Sequence, residues 1–160
     1  MKHKESDLQI RCVNWFRYQY PEFARLMEHP KNEGNGNRRQ GAIAKAEGVT
    51  KGVADLILHV PSFPGQETNW VFYFCSLAIE MKTPTGKQSP EQKEWQRLFE
   101  AAGGLYIIVR SYDDFVAEVT RYMLSVPQGI DKRIKQTHAE LQREADERVK
   151  KQLKSFVKKS

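Results

Sequence analysis

Apolar and polar positions alternate along the 160 residues in patterns that predict helices and strands with marked ends. Leu8, Cys12, Trp15 and Phe16 fall on one helical face. Ser6 followed by Gln9 has capping-box spacing and Pro21 closes the segment, so a first helix is expected with Glu5 at its N-terminal edge. From Glu28 to Gly52 the chain turns to Gly, Asn, Lys and Arg with few large apolar residues, which predicts a long loop with one short turn of structure. Three strands are expected next, over Val53–Val60, Trp70–Met81 and Leu105–Val109. Between the last two, Ser89 caps a helix, Pro90 takes its first position, Gln92 completes a capping box and Gly103-Gly104 stops it. Its apolar stripe is Trp95, Leu98, Phe99 and Ala102. A further helix follows Ser111, with Phe115, Val119, Tyr122 and Met123 on one face and Pro127 as its close. Strand, strand, helix, strand, helix is an α/β domain, and a right-handed parallel crossover should link the second strand to the third.

The last stretch has a different character. Leu141, Ala145, Val149, Leu153 and Val157 recur every four residues among polar neighbours, as in a narrow-striped helix that leans on its own domain or on a second copy. Residues 131–160 hold ten Lys or Arg against five Asp or Glu, so they carry +5 of the net +6 and leave +1 for residues 1–130. The expected division is a catalytic-sized domain over residues 1–128 and a basic helical tail over 129–160. Direct contact with DNA is the other reading of the tail's basic face.

Composition removes several classes. The longest apolar run, nine residues from Val71 to Ile79 with Ser76 inside it, is too short to span a bilayer. The polar start of the chain gives no secretory leader, and a cytoplasmic location is expected. Cys12 and Cys75 match no metal-ligand spacing and are expected to be reduced core thiols. His3, His29, His59 and His138 form no ligand pattern, and Trp15 and Trp95 lie on apolar helical faces that favour core packing over base stacking.

The candidate chemistry lies at strand ends. Glu80 and Lys82 are two residues apart and so share a face of the second strand, while Ile79 and Met81 point the other way. An acid and a lysine beside the most apolar strand need compensation if they are buried; at an exposed, fraying end they are an inert ion pair. With Asp55 on a neighbouring strand, two carboxylates converge, and like charges tolerate each other best around a divalent cation such as Mg²⁺ or Mn²⁺. Such an ion suits phosphodiester hydrolysis, with Lys82 stabilising the transition state, orienting the attacking water or, if neutral, accepting a proton. The Gly-rich segment Lys31-Asn-Glu-Gly-Asn-Gly-Asn-Arg38-Arg39 matches no nucleotide-binding fingerprint, so an NTPase is excluded.

Read together, Gly-Val-Thr-Lys-Gly-Val-Ala-Asp-Leu ending at Leu56, the run from Ile79 to Trp95 with its Glu-x-Lys, Gly86, Ser89-Pro90 and Gln92, and Ala102-Gly103-Gly104 resemble the VRR-NUC family of the PD-(D/E)XK nuclease superfamily. The resemblance runs from about Glu5 to about Met123. It implies a restriction-endonuclease-like core, a small mixed β-sheet flanked by helices. It also implies an active site of Asp55, Glu80, Lys82 and Gln92, joined by Glu5 or by Asp7, with Asp55 and Glu80 holding the metal. Gln92 is equally a cap residue on its own spacing. Arg38, Arg39, Lys45, Lys51 and Lys87 are the expected phosphate contacts. Small stand-alone members, common in bacteriophages, look like homodimers that cut branched DNA such as Holliday junctions. One departure is Ala54, where the superfamily pattern has Pro; a DNA-binding module that cuts nothing, and an RNA-directed nuclease, are the competing readings.

Overall fold

The computed structural model describes residues 2–30, 42–43, 45–67 and 70–157. Its contacts group into two units, residues 1–127 and 128–160. In the first unit, helix α1 (Lys2–Gln19) leads through a 3-10 helix (Pro21–Leu26) into strand β1 (Met27–Glu28). Strands β2 (Leu56–Leu58), β3 (Ser62–Glu67), β4 (Trp70–Phe74) and β5 (Leu77–Met81) follow. Helix α2 (Pro90–Ala101), strand β6 (Leu105–Val109) and helix α3 (Tyr112–Leu124) complete it. The main sheet runs β1-β2-β5-β6, with the first two pairings antiparallel and β5 parallel to β6 through α2. The parallel link and both late helices match the sequence expectation.

Five expectations need correction. Helix α1 begins at Lys2, so Ser6 and Gln9 lie inside it and do not cap it. The strand expected over Val53–Val60 is only Leu56–Leu58, because Asp55 sits in a bend that feeds the sheet. The apolar run Trp70–Met81 is two strands in two different sheets, since β4 pairs with β3 and β5 lies in the main sheet. Between them the Cys75 N–H donates to the Gly103 carbonyl and the Leu105 N–H to the Ser76 carbonyl, fastening the break to the end of α2. That break also exposes Cys75, which is therefore not a core thiol. Finally, in the α2 stripe Leu98 is 65 % exposed and Ala102 is exposed; only Trp95 and Phe99 pack inward, on Ala54, Ala78 and Tyr106.

The core lies between the sheet and α1 and α3. Phe16 and Cys12 of α1 and Phe115 and Val119 of α3 are fully buried, with Leu56, Leu58, Leu77 and Ile79 of the sheet. Each large apolar side chain removed from water in this way stabilises the fold by about 1.5–3 kcal/mol. Burial of Cys12 pushes its thiol up to about 11. Tyr122 crosses from α3 to donate its hydroxyl to the Val60 carbonyl at 2.6 Å, and the Ser62 hydroxyl donates to the Tyr122 carbonyl at 3.0 Å, so β3 is pinned where it leaves the main sheet.

The second unit is helix α4 (Ile130–Val157). Leu141, Val149 and Leu153 of its stripe are exposed. Among the described residues no helix is long and apolar enough to cross a membrane.

Candidate active site

The main sheet brings the chemistry together at one corner, because the chain enters β2 and leaves β5 at neighbouring points of antiparallel strands (Leu56 pairs with Ile79). Asp55, one residue before β2, accepts the Met81 N–H through Oδ2 at 2.7 Å. Glu80, on β5, is 1 % exposed. Its Oε1 receives Lys82 Nζ at 2.7 Å and the Gln92 side-chain amide, and its Oε2 receives the Tyr106 hydroxyl at 3.0 Å. The pair is thus buried, and the reading of Glu80 and Lys82 as an exposed ion pair is set aside.

Both carboxyls are held above their ordinary range. For Asp55 the cause is burial, opposed by the Met81 N–H and by the charges of Lys82 and His29, with Glu5 adding repulsion. For Glu80 burial is again the largest cause and the Asp55 charge the next, with Lys82 and Tyr106 pulling the other way. Two carboxylates that feel each other in a shielded corner are short of positive charge.

Gln92 caps α2 and also reaches Glu80. Its N–H donates to the Ser89 hydroxyl at 3.2 Å and its Oε1 accepts the Ser89 N–H at 2.9 Å, completing the capping box, while its Nε2 reaches Glu80. The cap therefore orients the amide for the carboxylate. Gly52 makes room for this end of α2: its φ is 76°, and a Cβ there would lie 2.4 Å from the Glu91 carbonyl carbon.

Glu5 reaches the same corner from α1, its Oε1 accepting the Thr83 N–H at 3.2 Å, whereas Asp7 is exposed. Lys45, Lys51 and Lys87 are exposed, and Arg38 and Arg39 lie outside the described residues. Ala54 is fully buried against Ala78 and Tyr106. Among the described residues no group of three or more His, Cys, Asp or Glu forms a metal-holding cluster.

Three contributors escaped the sequence reading. Tyr106 pairs in register with Ala78, two residues from Glu80 on the same face, and the small alanine opposite the ring was the available signal. Arg110 donates through Nη1 to the carbonyls of Thr83 at 2.6 Å and Gly86 at 2.9 Å, tying down the turn that follows Lys82. His29 Nδ1 lies 2.6 Å from the Asp55 carbonyl, and because a carbonyl only accepts, Nδ1 carries the proton. Neither of the last two residues had a local sequence signal.

Comparison with known proteins adds the family. The model of the VRR-NUC domain matches residues 1–113, more than half of the chain. A solved structure described as a VRR_NUC domain protein superposes with a TM-score of 0.62 at 20 % identity, over 76 % of this chain and 89 % of that one. That likeness shows the fold, a mixed α/β architecture with a small mixed sheet flanked by helices. A search of curated proteins found no match.

Proposed function

We propose, from the premise that the chain belongs to the VRR-NUC domain family and carries its nuclease-type domain, that it is a divalent-metal-dependent DNA endonuclease. The observation that carries this reading is the convergence of Asp55, Glu80, Lys82 and Gln92 on one buried corner.

The donor set fits a small hard cation. Asp55 and Glu80 supply carboxylate oxygens, each driven towards protonation by burial, and Glu80 also by Asp55, so a positive ion is what the pair lacks. Oε1 of Glu80 is engaged by two donors and Oε2 by Tyr106, which leaves a lone pair on Oε2 for Mg²⁺ or Mn²⁺. When bound, such an ion acidifies a water, polarises the non-bridging phosphate oxygens and neutralises charge on the leaving oxygen.

The protein's own groups do the rest. Lys82 brings its ammonium to the edge of the corner, where it orients the attacking water and counters the charge that builds on the pentacovalent phosphorus. Gln92 and Tyr106 hold the Glu80 carboxylate in one rotamer. The N-terminus of α2, which carries Gln92, adds the positive end of a helix on the side where a phosphate would enter. Lys45, Lys51 and Lys87, all exposed, are proposed as phosphate contacts, and Arg38 and Arg39 are carried over from the sequence resemblance. Branched DNA such as a Holliday junction is the preferred substrate, cut by a homodimer, since a four-way junction presents two related strands to a two-fold enzyme.

The test is incubation of labelled four-way junction and linear duplex with Mg²⁺, Mn²⁺ or EDTA, beside Asp55→Ala and Lys82→Ala. Metal-dependent cutting of the junction, absent in both variants, is expected. Cutting that survives EDTA or either substitution sinks the mechanism. Junction binding without cutting under every metal condition favours the non-catalytic module.

A further inference from the structure

A groove of about 350 Å³ opens beside the carboxylate corner, between α1 and the β1–β2 edge of the sheet. Its α1 wall is Ser6, Gln9, Ile10, Val13, Asn14 and Arg17, spaced three and four apart on one helical face. This is not the face that fills the core, which carries Cys12 and Phe16. Met27 and Leu56, both buried, form the floor, and His29 stands at the rim. Ile10 is 59 % exposed, a large apolar side chain that the core does not use.

Three features point to one occupant. The groove starts at the chemistry: His29 bonds the Asp55 carbonyl, Gln9 Nε2 lies 3.2 Å from His29 Nδ1, and Ser6 follows Glu5. From Ser6 to Arg17 the helix advances about 16 Å, enough for a strand to run away from the reacting phosphate. The lining holds no carboxylate but has one Arg and one His, so a polyanion meets no repulsion from it. Along the way the groove offers an apolar floor for a base face, side-chain amides for a base edge and a guanidinium for a phosphate. A paired base in a duplex has its faces stacked and its Watson–Crick edge spent, so it can offer the groove a phosphate and a groove edge but cannot lay a face on the apolar floor.

We propose that this groove holds an unpaired nucleotide of the strand leading to the scissile phosphate, so that the protein recognises single-stranded extensions next to its cutting site. The inference rests on the nuclease reading for the placement of the scissile phosphate. The groove's own chemistry does not depend on cutting.

The experiment is fluorescence anisotropy with the full chain in EDTA, where binding is read without cleavage. The probes are a blunt duplex, the same duplex with a short DNA extension, and the same duplex with an RNA extension. An extended duplex should bind about tenfold more tightly than the blunt one. Ile10→Glu puts a carboxylate in the groove from an exposed position and should abolish that preference, and Arg17→Ala should reduce it by about threefold, with thermal melts confirming that both variants fold. A preference seen with either sugar supports the groove and identifies the polymer it serves. Equal affinity for blunt and extended probes, or a preference that neither substitution changes, overturns it. Metal-dependent cutting without an extension preference would refute the groove and leave the nuclease reading standing; an extension preference without cutting would do the reverse.

Discussion

The carboxylate corner and helix α4 both hold acids and bases in close pairs, yet the same chemistry has opposite consequences in the two places. In α4, Arg148 and Glu144 approach to 3.8 Å with side chains 71 % and 65 % exposed. At the corner, Lys82 and Glu80 approach to 2.7 Å with side chains 14 % and 1 % exposed. The exposed pair is screened by water and salt and contributes only about 0–1 kcal/mol. The buried pair gives up hydration of the order of several kcal/mol per ion, which hydrogen bonds from Gln92 and Tyr106 offset in part. Burial is what makes a charge specific, and a strained group of charges in a shielded corner is where chemistry is expected.

If that contrast holds, the largest effect comes from Lys82, the lysine paired with Glu80. Lys82→Ala should lower the cleavage rate by roughly 10²–10⁴ while leaving the affinity for uncut DNA nearly unchanged. Single-turnover cleavage and a binding titration measure the two parts. A loss of affinity that matches the loss of rate would mean that Lys82 acts as an ordinary phosphate contact.

The tail carries most of the net charge, and removing it should act on binding instead of chemistry. Truncation after Gln128 should flatten the salt dependence of DNA binding and lower affinity at low salt by about tenfold, with single-turnover rates at saturating protein preserved. An unchanged salt slope would assign the tail a purely structural part.

The Glu80 and Asp55 carboxyls sharpen the comparison through pH. Both hold their protons more tightly when folded than when unfolded. The stability that follows is fully present below the ordinary carboxylate values of 3.8 and 4.5 and is lost as pH rises through the folded ones. In EDTA, the melting temperature of the native protein should therefore fall relative to that of Glu80→Gln as pH rises from 4.5 towards 7.5. The glutamine keeps the shape and cannot ionise. Parallel curves for the two proteins would show that the corner does not feel the buried charge.

How much of this was readable beforehand follows the range of the forces involved. The block from Glu80 to Gly104 was legible because its signals are local: two charges at strand spacing, then Ser89, Pro90, Gln92 and the closing glycines. Where the chain depends on distant partners, the reading failed. Nothing within Trp70–Met81 marks the break at Cys75-Ser76, which is set by backbone bonds to the residues closing α2. Strand β3 was missed: Pro64 and Gly65 are poor strand formers, and the ladder to β4 takes a shift of register between Ser62 and Gly65. The corner's acids, lysine and glutamine were found from sequence, whereas Tyr106 and Arg110, which reach Glu80 and the Thr83 turn across the sheet, were not.

The smallest effects test the comparison most closely, because they remove a single hydrogen-bonding group from each region. Tyr106→Phe deletes the hydroxyl that meets Glu80 Oε2 at 3.0 Å and leaves the ring in its packing with Trp95. One oxygen of a buried carboxylate loses its donor, so unfolding should become easier by about 1–2 kcal/mol and cleavage slower by about tenfold. Arg148→Ala removes a guanidinium that pairs with the Glu144 carboxylate at 3.8 Å and donates through Nε to the Glu144 backbone carbonyl, but both groups simply return to water, and the expected change is within about 0.5 kcal/mol with no effect on cleavage. Urea titrations of the two variants beside the native chain give both numbers. If the two substitutions cost the same, burial is not what separates the corner from the tail, and the Tyr106 hydroxyl is a bystander to the charge it faces.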